Sequence, residues 1–137
     1  MSGLTRFSVS LEKDLLDKFD KQVESEQYPT RSKAIADLIS DALVKQEWKA
    51  GKDVAAAIIM VYDHHKRGLS MKLTHVQHDY HHLIVSSQHI HLDHNNCLEI
   101  VVVKGKPEKV QELAGKLKTT KGVKHTSLSV ASTGKAL

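Results

Sequence analysis

The chain has 137 residues, 40% hydrophobic and 26% charged, with one cysteine, ten histidines and a formal net charge of +4. That length is one ordinary domain or two very small ones, and a half of about 50 residues rarely buries a sufficient core alone, so a two-domain reading implies reliance on partner subunits. A lone cysteine excludes an intramolecular disulfide and suits a reducing compartment. The apolar run at 54–61 is too short to span a bilayer, and no charged leader precedes an apolar segment, so a cytoplasmic location is expected.

Residues 5–11, Thr-Arg-Phe-Ser-Val-Ser-Leu, alternate Phe7, Val9 and Leu11 with Arg6, Ser8 and Ser10. That period of two predicts a strand with one apolar and one polar face. Leu15, Leu16, Phe19 and Val23 fall at helical spacing within residues 12–26. Tyr28-Pro29-Thr30 breaks the chain, and Thr30 or Ser32 caps a second helix from Arg31 to about Glu47, with Ala34, Ile35, Leu38, Ile39, Ala42 and Leu43 inward. A lone strand must pair, and the same strand of a second subunit is the nearest partner. The resulting ribbon displays Arg6, Ser8 and Ser10 twice and has the dimensions to enter a major groove, where such side chains read base edges. The other reading is a strand that completes a sheet elsewhere in the chain. Bulk charge does not decide: residues 1–50 hold 8 Lys/Arg against 9 Asp/Glu, a net of −1, and residues 51–137 hold 12 against 7, a net of +5.

A polar connector with Gly51 as its breaker follows. The domains are therefore expected at 1–48 and 54–134, with a linker at 49–53. Beyond it the pattern predicts an apolar strand over 54–62, a helix from Lys66 to about His78, a strand over 83–93, a turn at Asp93-His94-Asn95-Asn96, a strand over 97–104, a helix opened by Pro107 and a last strand over 123–130. The order βαββαβ is that of a ferredoxin-like split sandwich, and the whole chain is expected to be α+β. Ile100 to Val103 is apolar on both faces, which predicts that both sides of the sheet are covered and that the protein is oligomeric.

All ten histidines lie between His64 and His125. Singly, a histidine is more often a surface or hydrogen-bonding residue than a ligand, and His64, His65, His75, His94 and His125 are assigned no role. Residues 89–97, His-Ile-His-Leu-Asp-His-Asn-Asn-Cys, differ. His89 and His91 point to one face of a strand, roughly 6.6 Å apart along it, and Cys97 opens the antiparallel partner after the turn. One hairpin thus offers two imidazoles and a thiolate. The fourth ligand is left open among His78, His81 and His82, and Asp79 with His81 forms a candidate weaker site. Ni²⁺, Cu²⁺, Zn²⁺ and Co²⁺ all suit one thiolate with imidazoles. No glycine-rich phosphate loop and no acid–base pair with separate roles is present, so the chain is not expected to be an enzyme.

Arg-Phe-Ser-Val-Ser-Leu with Pro-Thr-Arg-Ser-Lys-Ala-Ile resembles a ribbon-helix-helix DNA-binding domain. Tyr-Asp-His-His-Lys-Arg-Gly-Leu, Gln-His-Asp-Tyr-His-His and the hairpin motif resemble the nickel-responsive regulator family, and the match covers nearly the whole chain. The resemblance implies a homotetramer of ACT-like domains flanked by ribbon-helix-helix dimers. It implies one square-planar nickel ion per subunit, held by His89, His91 and Cys97 with His78 of another subunit. It further implies repression of nickel-uptake genes at a palindromic double-stranded operator, base contacts by Arg6, Ser8 and Ser10, and backbone contacts by Lys66 and Arg67. Serines stand where the family often has threonine, so base preference is open. Lys33 stands where potassium-binding members carry glutamate beside Asp37, so potassium is not carried over. A regulator of the same architecture tuned to copper or cobalt, and an ACT-type small-molecule sensor, remain alternatives.

Overall fold

The computed structural model describes residues 3–137. Helices α1 (Lys13–Ser25) and α2 (Arg31–Ala50) are followed by β1 (Val54–Tyr62), α3 (Leu69–Asp79), β2 (Ile84–Asp93), β3 (Asn96–Gly105), α4 (Pro107–Lys118) and β4 (Val123–Val130). The chain is α+β, and its four strands form one antiparallel sheet in the order β2-β3-β1-β4.

The chain divides into two compact units between Asp41 and Ala42. That division falls within α2, earlier than the linker expected at 49–53, because the end of the helix is bonded to the second unit. Trp48 Nε1 donates to the Ala131 carbonyl at 3.0 Å, and the Ser132 hydroxyl donates to the buried Glu47 carboxylate at 3.0 Å.

In the first unit Thr30 caps α2, its Oγ1 accepting from the Lys33 backbone N–H at 3.1 Å. Arg31 forms a two-pronged pair with Asp20 at 2.8 and 2.7 Å. Lys33 Nζ lies 2.7 Å from Asp37, whose other oxygen accepts from the Tyr28 hydroxyl at 2.9 Å. The strand expected over 5–11 is absent: the segment carries no regular structure, since a ladder needs a partner and none pairs with it among the described residues. Phe7, Val9, Leu11, Leu15, Leu38 and Ile39 are all exposed, and no residue of α1 is buried. This unit does not close an apolar core from one chain.

The second unit does. Val54, Ala56, Ile58, Met60 and Tyr62 alternate inward along β1, and Val101 and Val103 do so on β3, against Leu69 and Leu73 of α3 and Val110, Leu113 and Leu117 of α4. The opposite sheet face is also apolar but only half covered: Ala57, Ile59, Leu98 and Ile100 are partly buried, while Ile90 and Val102 are exposed. Helix α3 begins at Leu69 and not at Lys66. Gly68, at φ 76°, takes a left-handed conformation that leaves residues 64–68 as turns.

Gly105 ends β3 against Leu83, and a Cβ there would overlap the Leu83 side chain. Gly105→Ala is therefore expected to destabilise the second unit by about 1–3 kcal/mol, as overpacked cores do, seen as a lowered urea midpoint with an unchanged slope.

Candidate metal centre

The β2–β3 hairpin sets the site. In its register His91 faces Cys97 and His89 faces Glu99, and Tyr62 of β1 lies on the far side of Cys97. Ladder partners share a face, so His89, His91, Cys97, Glu99 and Tyr62 all point to the helix side of the sheet. The edge position of β2 leaves His89 and His91 exposed, while Cys97 and Glu99 are buried at 1% and 2% exposure. The turn is held by Asp93, whose carboxylate accepts from the Asn95 backbone N–H and the Asn96 side chain at 2.9 and 3.0 Å. The Asn96 amide, then the Asn95 N–H, hold the Asp93 carboxyl below the usual range. That contribution to stability is present above the ordinary carboxylate pKa and is lost as pH falls through the depressed one.

His89 Nδ1 lies 3.9 Å from Cys97 Sγ. Two donors of one ion, each about 2.0–2.3 Å from it, stand roughly 3–4.4 Å apart, so this pair fits a shared metal. A thiolate with imidazoles suits a borderline divalent ion. Behind the pair lies a buried polar network. Glu99 accepts from the Tyr62 hydroxyl at 2.7 Å and from Gln77 Nε2 of α3 at 2.8 Å, and its Oε1 stands 3.5 Å from His89 Nε2. Burial first, then Glu99, pushes the Tyr62 phenol far above its ordinary pKa, so it remains a donor. Sequence patterns missed Glu99, Tyr62 and Gln77. A charged residue alternating with Cys97 and Val101 along an apolar strand was the available signal.

Within one chain His78 does not join the hairpin donors. It lies at the C-terminal end of α3, exposed, lining a shallow surface hollow with Met71, Thr74 and His75. His81 turns back on the chain, its Nδ1 3.0 Å from the His78 carbonyl, and Asp79 and His81 join no group of three donors among the described residues. Lys66 and Arg67 are exposed in the turn between β1 and α3, and Arg6, Ser8 and Ser10 are exposed in the N-terminal segment.

The histidines assigned no role at His64, His65 and His94 are clustered. Donor atoms of Asp63, His64 and His65 lie within 4.8 Å of one another. The His64 ring is 4.0 Å from that of His65 and 4.6 Å from that of His91, and His65 is 4.8 Å from His94. Burial, then the neighbouring His65 and His91, holds the His64 pKa below its ordinary value. Asp63, His64 and His65 are consecutive, but sequence spacing hid their nearness to His91 and His94, which come from the hairpin.

Residues 55–131 match the family model of the NikR C-terminal nickel-binding domain. The chain belongs to the nickel-responsive regulator family. Relatives carrying the name of nickel-responsive regulators include one from Chlorobium limicola, 50% identical over 98% of this chain and 100% of the relative. Another, from Syntrophus aciditrophicus, is 51% identical over 98% of each chain, and one from Nitratidesulfovibrio vulgaris is 50% identical over 100% of this chain and 99% of its own. An uncharacterised Thermotoga maritima protein of known structure covers 58% of this chain and 98% of its own at a TM-score of 0.53 and 15% identity, a likeness of fold. The family assignment makes the second unit a nickel-binding domain of the ACT-like kind and the chain a nickel-responsive regulator. Among the described residues no helix is long and apolar enough to cross a membrane.

Proposed function

We propose that the protein is a cytoplasmic, nickel-dependent transcription factor that binds a palindromic DNA operator as a homotetramer and represses nickel-uptake genes. The observation that carries this reading is the buried Cys97 thiol 3.9 Å from His89 Nδ1, on the strand face it shares with His91. In this reading His89, His91 and Cys97 of one subunit and the outward His78 of another hold one nickel ion per subunit in a planar set. A bound nickel ion supplies the coordinate bonds that tie the hairpin of one subunit to the α3 end of its neighbour.

The chain's own residues do the rest. Gln77 precedes His78 on α3 and donates to Glu99, which also stands beside His89, so the helix end and the hairpin are already coupled within a subunit. Fixing that helix end steadies the turn that presents Lys66 and Arg67 to DNA phosphates, contacts that position without reading sequence. The exposed Phe7, Val9 and Leu11 supply the inner face of a ribbon completed by a second copy, leaving Arg6, Ser8 and Ser10 to the base edges. The half-covered sheet face gives the second units a surface for assembly. Nickel acts only if it binds the DNA-competent arrangement better than the free one, and a site shared by two subunits meets that condition.

The test is selection from randomised duplex DNA by the purified protein with Ni²⁺, Cu²⁺, Co²⁺ or Zn²⁺ singly, with His89→Ala as control. Nickel is expected to enrich a palindrome that the control does not. Equal enrichment without metal would refute the nickel dependence, and enrichment with copper or cobalt alone would reassign the effector.

A further inference from the structure

We infer that the segment after β4, Ala131 to Gly134, is a clasp that locks the last turn of α2 to the sheet of the second unit, so that a change in that unit is carried into the helix. Every residue of the clasp belongs to the second unit, 42–137. The Trp48 indole N–H donates to the Ala131 carbonyl at 3.0 Å, and the side chain packs, partly buried, against the apolar core. The Ser132 hydroxyl donates to the Glu47 carboxylate at 3.0 Å and accepts from the Gly134 backbone N–H at 3.0 Å, which fixes the hydroxyl from behind. The Ala131 N–H donates to the Ala55 carbonyl at 2.9 Å, so the clasp is rooted in β1.

Two features mark the clasp as a working part and not as plain packing. Glu47 is 6% exposed, and among the described residues the one side-chain partner of its carboxylate is the Ser132 hydroxyl. Burying a charge is unfavourable unless it is paired and hydrogen-bonded, so a helix end that needed only an apolar anchor gains nothing from glutamate here. One hydroxyl proton serves one oxygen at a time, so a single bond decides whether the clasp is closed. A hydrogen bond to a charged group shifts such an equilibrium by roughly 10–100-fold. The second feature is β1, an interior strand with Ala55 at the clasp and Tyr62 at the metal centre, where it pairs with Cys97 and donates to Glu99. The two ends lie roughly 23 Å apart at the rise of an extended strand. One stiff strand thus joins the metal centre to the end of α2. That transmission rests on the reading of the chain as a nickel-dependent DNA-binding protein; the clasp itself does not.

The experiment compares the full-length wild type with Ser132→Ala and Ser132→Thr. Trp48 is the only tryptophan, so acrylamide quenching of its fluorescence reads the clasp directly. Amide hydrogen exchange over 42–50 reads the helix end, with 54–62 as the reference. In metal-free Ser132→Ala, exchange over 42–50 is expected to speed up by at least ~10-fold, with Trp48 more readily quenched and 54–62 unchanged. Nickel affinity, followed by thiolate-to-metal charge-transfer absorbance, should match the wild type. Nickel-dependent affinity for the selected palindrome should fall by at least ~5-fold, because fewer molecules hold α2 in place. Ser132→Thr, which keeps the hydroxyl, should restore the quenching, the exchange and the DNA affinity. If Ser132→Ala loses its native circular dichroism, Trp48→Phe, which keeps an apolar ring and drops the donor, replaces it with exchange and DNA affinity as readouts. Unchanged exchange over 42–50 overturns the inference. So does faster exchange with wild-type nickel-dependent DNA binding, which would leave the segment as packing alone. A wild type without any nickel-dependent DNA binding refutes the proposed function, and exchange over 42–50 then decides the clasp by itself.

Discussion

Replacing Cys97 with alanine is expected to abolish nickel-dependent DNA binding while leaving the fold in place. The thiol is 1% exposed and sits on β3 between His91 and Tyr62 in the ladder, with its sulfur toward His89. It is the only sulfur donor of its kind in the chain. A bound ion displaces the thiol proton, and the thiolate supplies charge as well as a bond, so its loss removes the strongest member of the set. Changing partners around a metal ligand already costs about 10–100-fold in affinity, so loss of the ligand itself is expected to cost at least ~100-fold. The structural cost is small by comparison, roughly 1–2 kcal/mol for one buried atom. A nickel titration followed by charge-transfer absorbance, beside a urea melt of the metal-free protein, separates the two. Cys97→Ser sharpens the test, because a hydroxyl keeps the shape and lacks the soft donor. Wild-type nickel affinity in either variant would remove Cys97 from the site and with it the nickel reading of the hairpin.

What was legible in the sequence was whatever period and turn chemistry encode locally. The apolar run over 54–62 matched β1, Pro107 opened α4, and Asp93 to Asn96 made the turn that sets Cys97 across from His91. The N-terminal segment alternates as a strand does but carries no regular structure in one chain, since alternation encodes the faces of a strand and not its ladder partner. Gly68 shortened α3, because one left-handed residue outweighs the helical periodicity around it. The His64–His65 group and the Glu99 network were illegible for a different reason. Tyr62, Gln77 and Glu99 lie far apart in the chain, as His94 does from the adjacent His64 and His65, and they meet only through the fold, which no local period reports. The same limit applies to His78, whose outward placement on α3 follows from the helix but whose partner does not.

Glu99→Ala is expected to combine a large loss of stability with a loss of nickel affinity, and the pairing of the two effects is what assigns Glu99 its role. The substitution strands the Tyr62 hydroxyl and Gln77 Nε2, which donate to Glu99 at 2.7 and 2.8 Å in a site 2% exposed to solvent. Each buried donor left unmade costs about 1–3 kcal/mol, so a total of roughly 3–5 kcal/mol is expected, read from chemical denaturation of the metal-free protein. The same carboxylate stands 3.5 Å from His89 Nε2, the other ring nitrogen from the Nδ1 that lies 3.9 Å from Cys97 Sγ. A group in that place fixes ring orientation and raises ligand basicity, and removing it is expected to lower nickel affinity by about 10–100-fold. Glu99→Gln keeps an acceptor for one donor and should lose less on both counts. Leu117→Ala is the control: the side chain is fully buried in α4 and should cost about 2–5 kcal/mol, yet it supplies no polar group to the network. If Leu117→Ala lowers nickel affinity as much as Glu99→Ala does, the metal effect is a general consequence of instability and Glu99 has no positioning role. If only Glu99→Ala does, the buried carboxylate is the link through which the hairpin and the end of α3 sense the same ion.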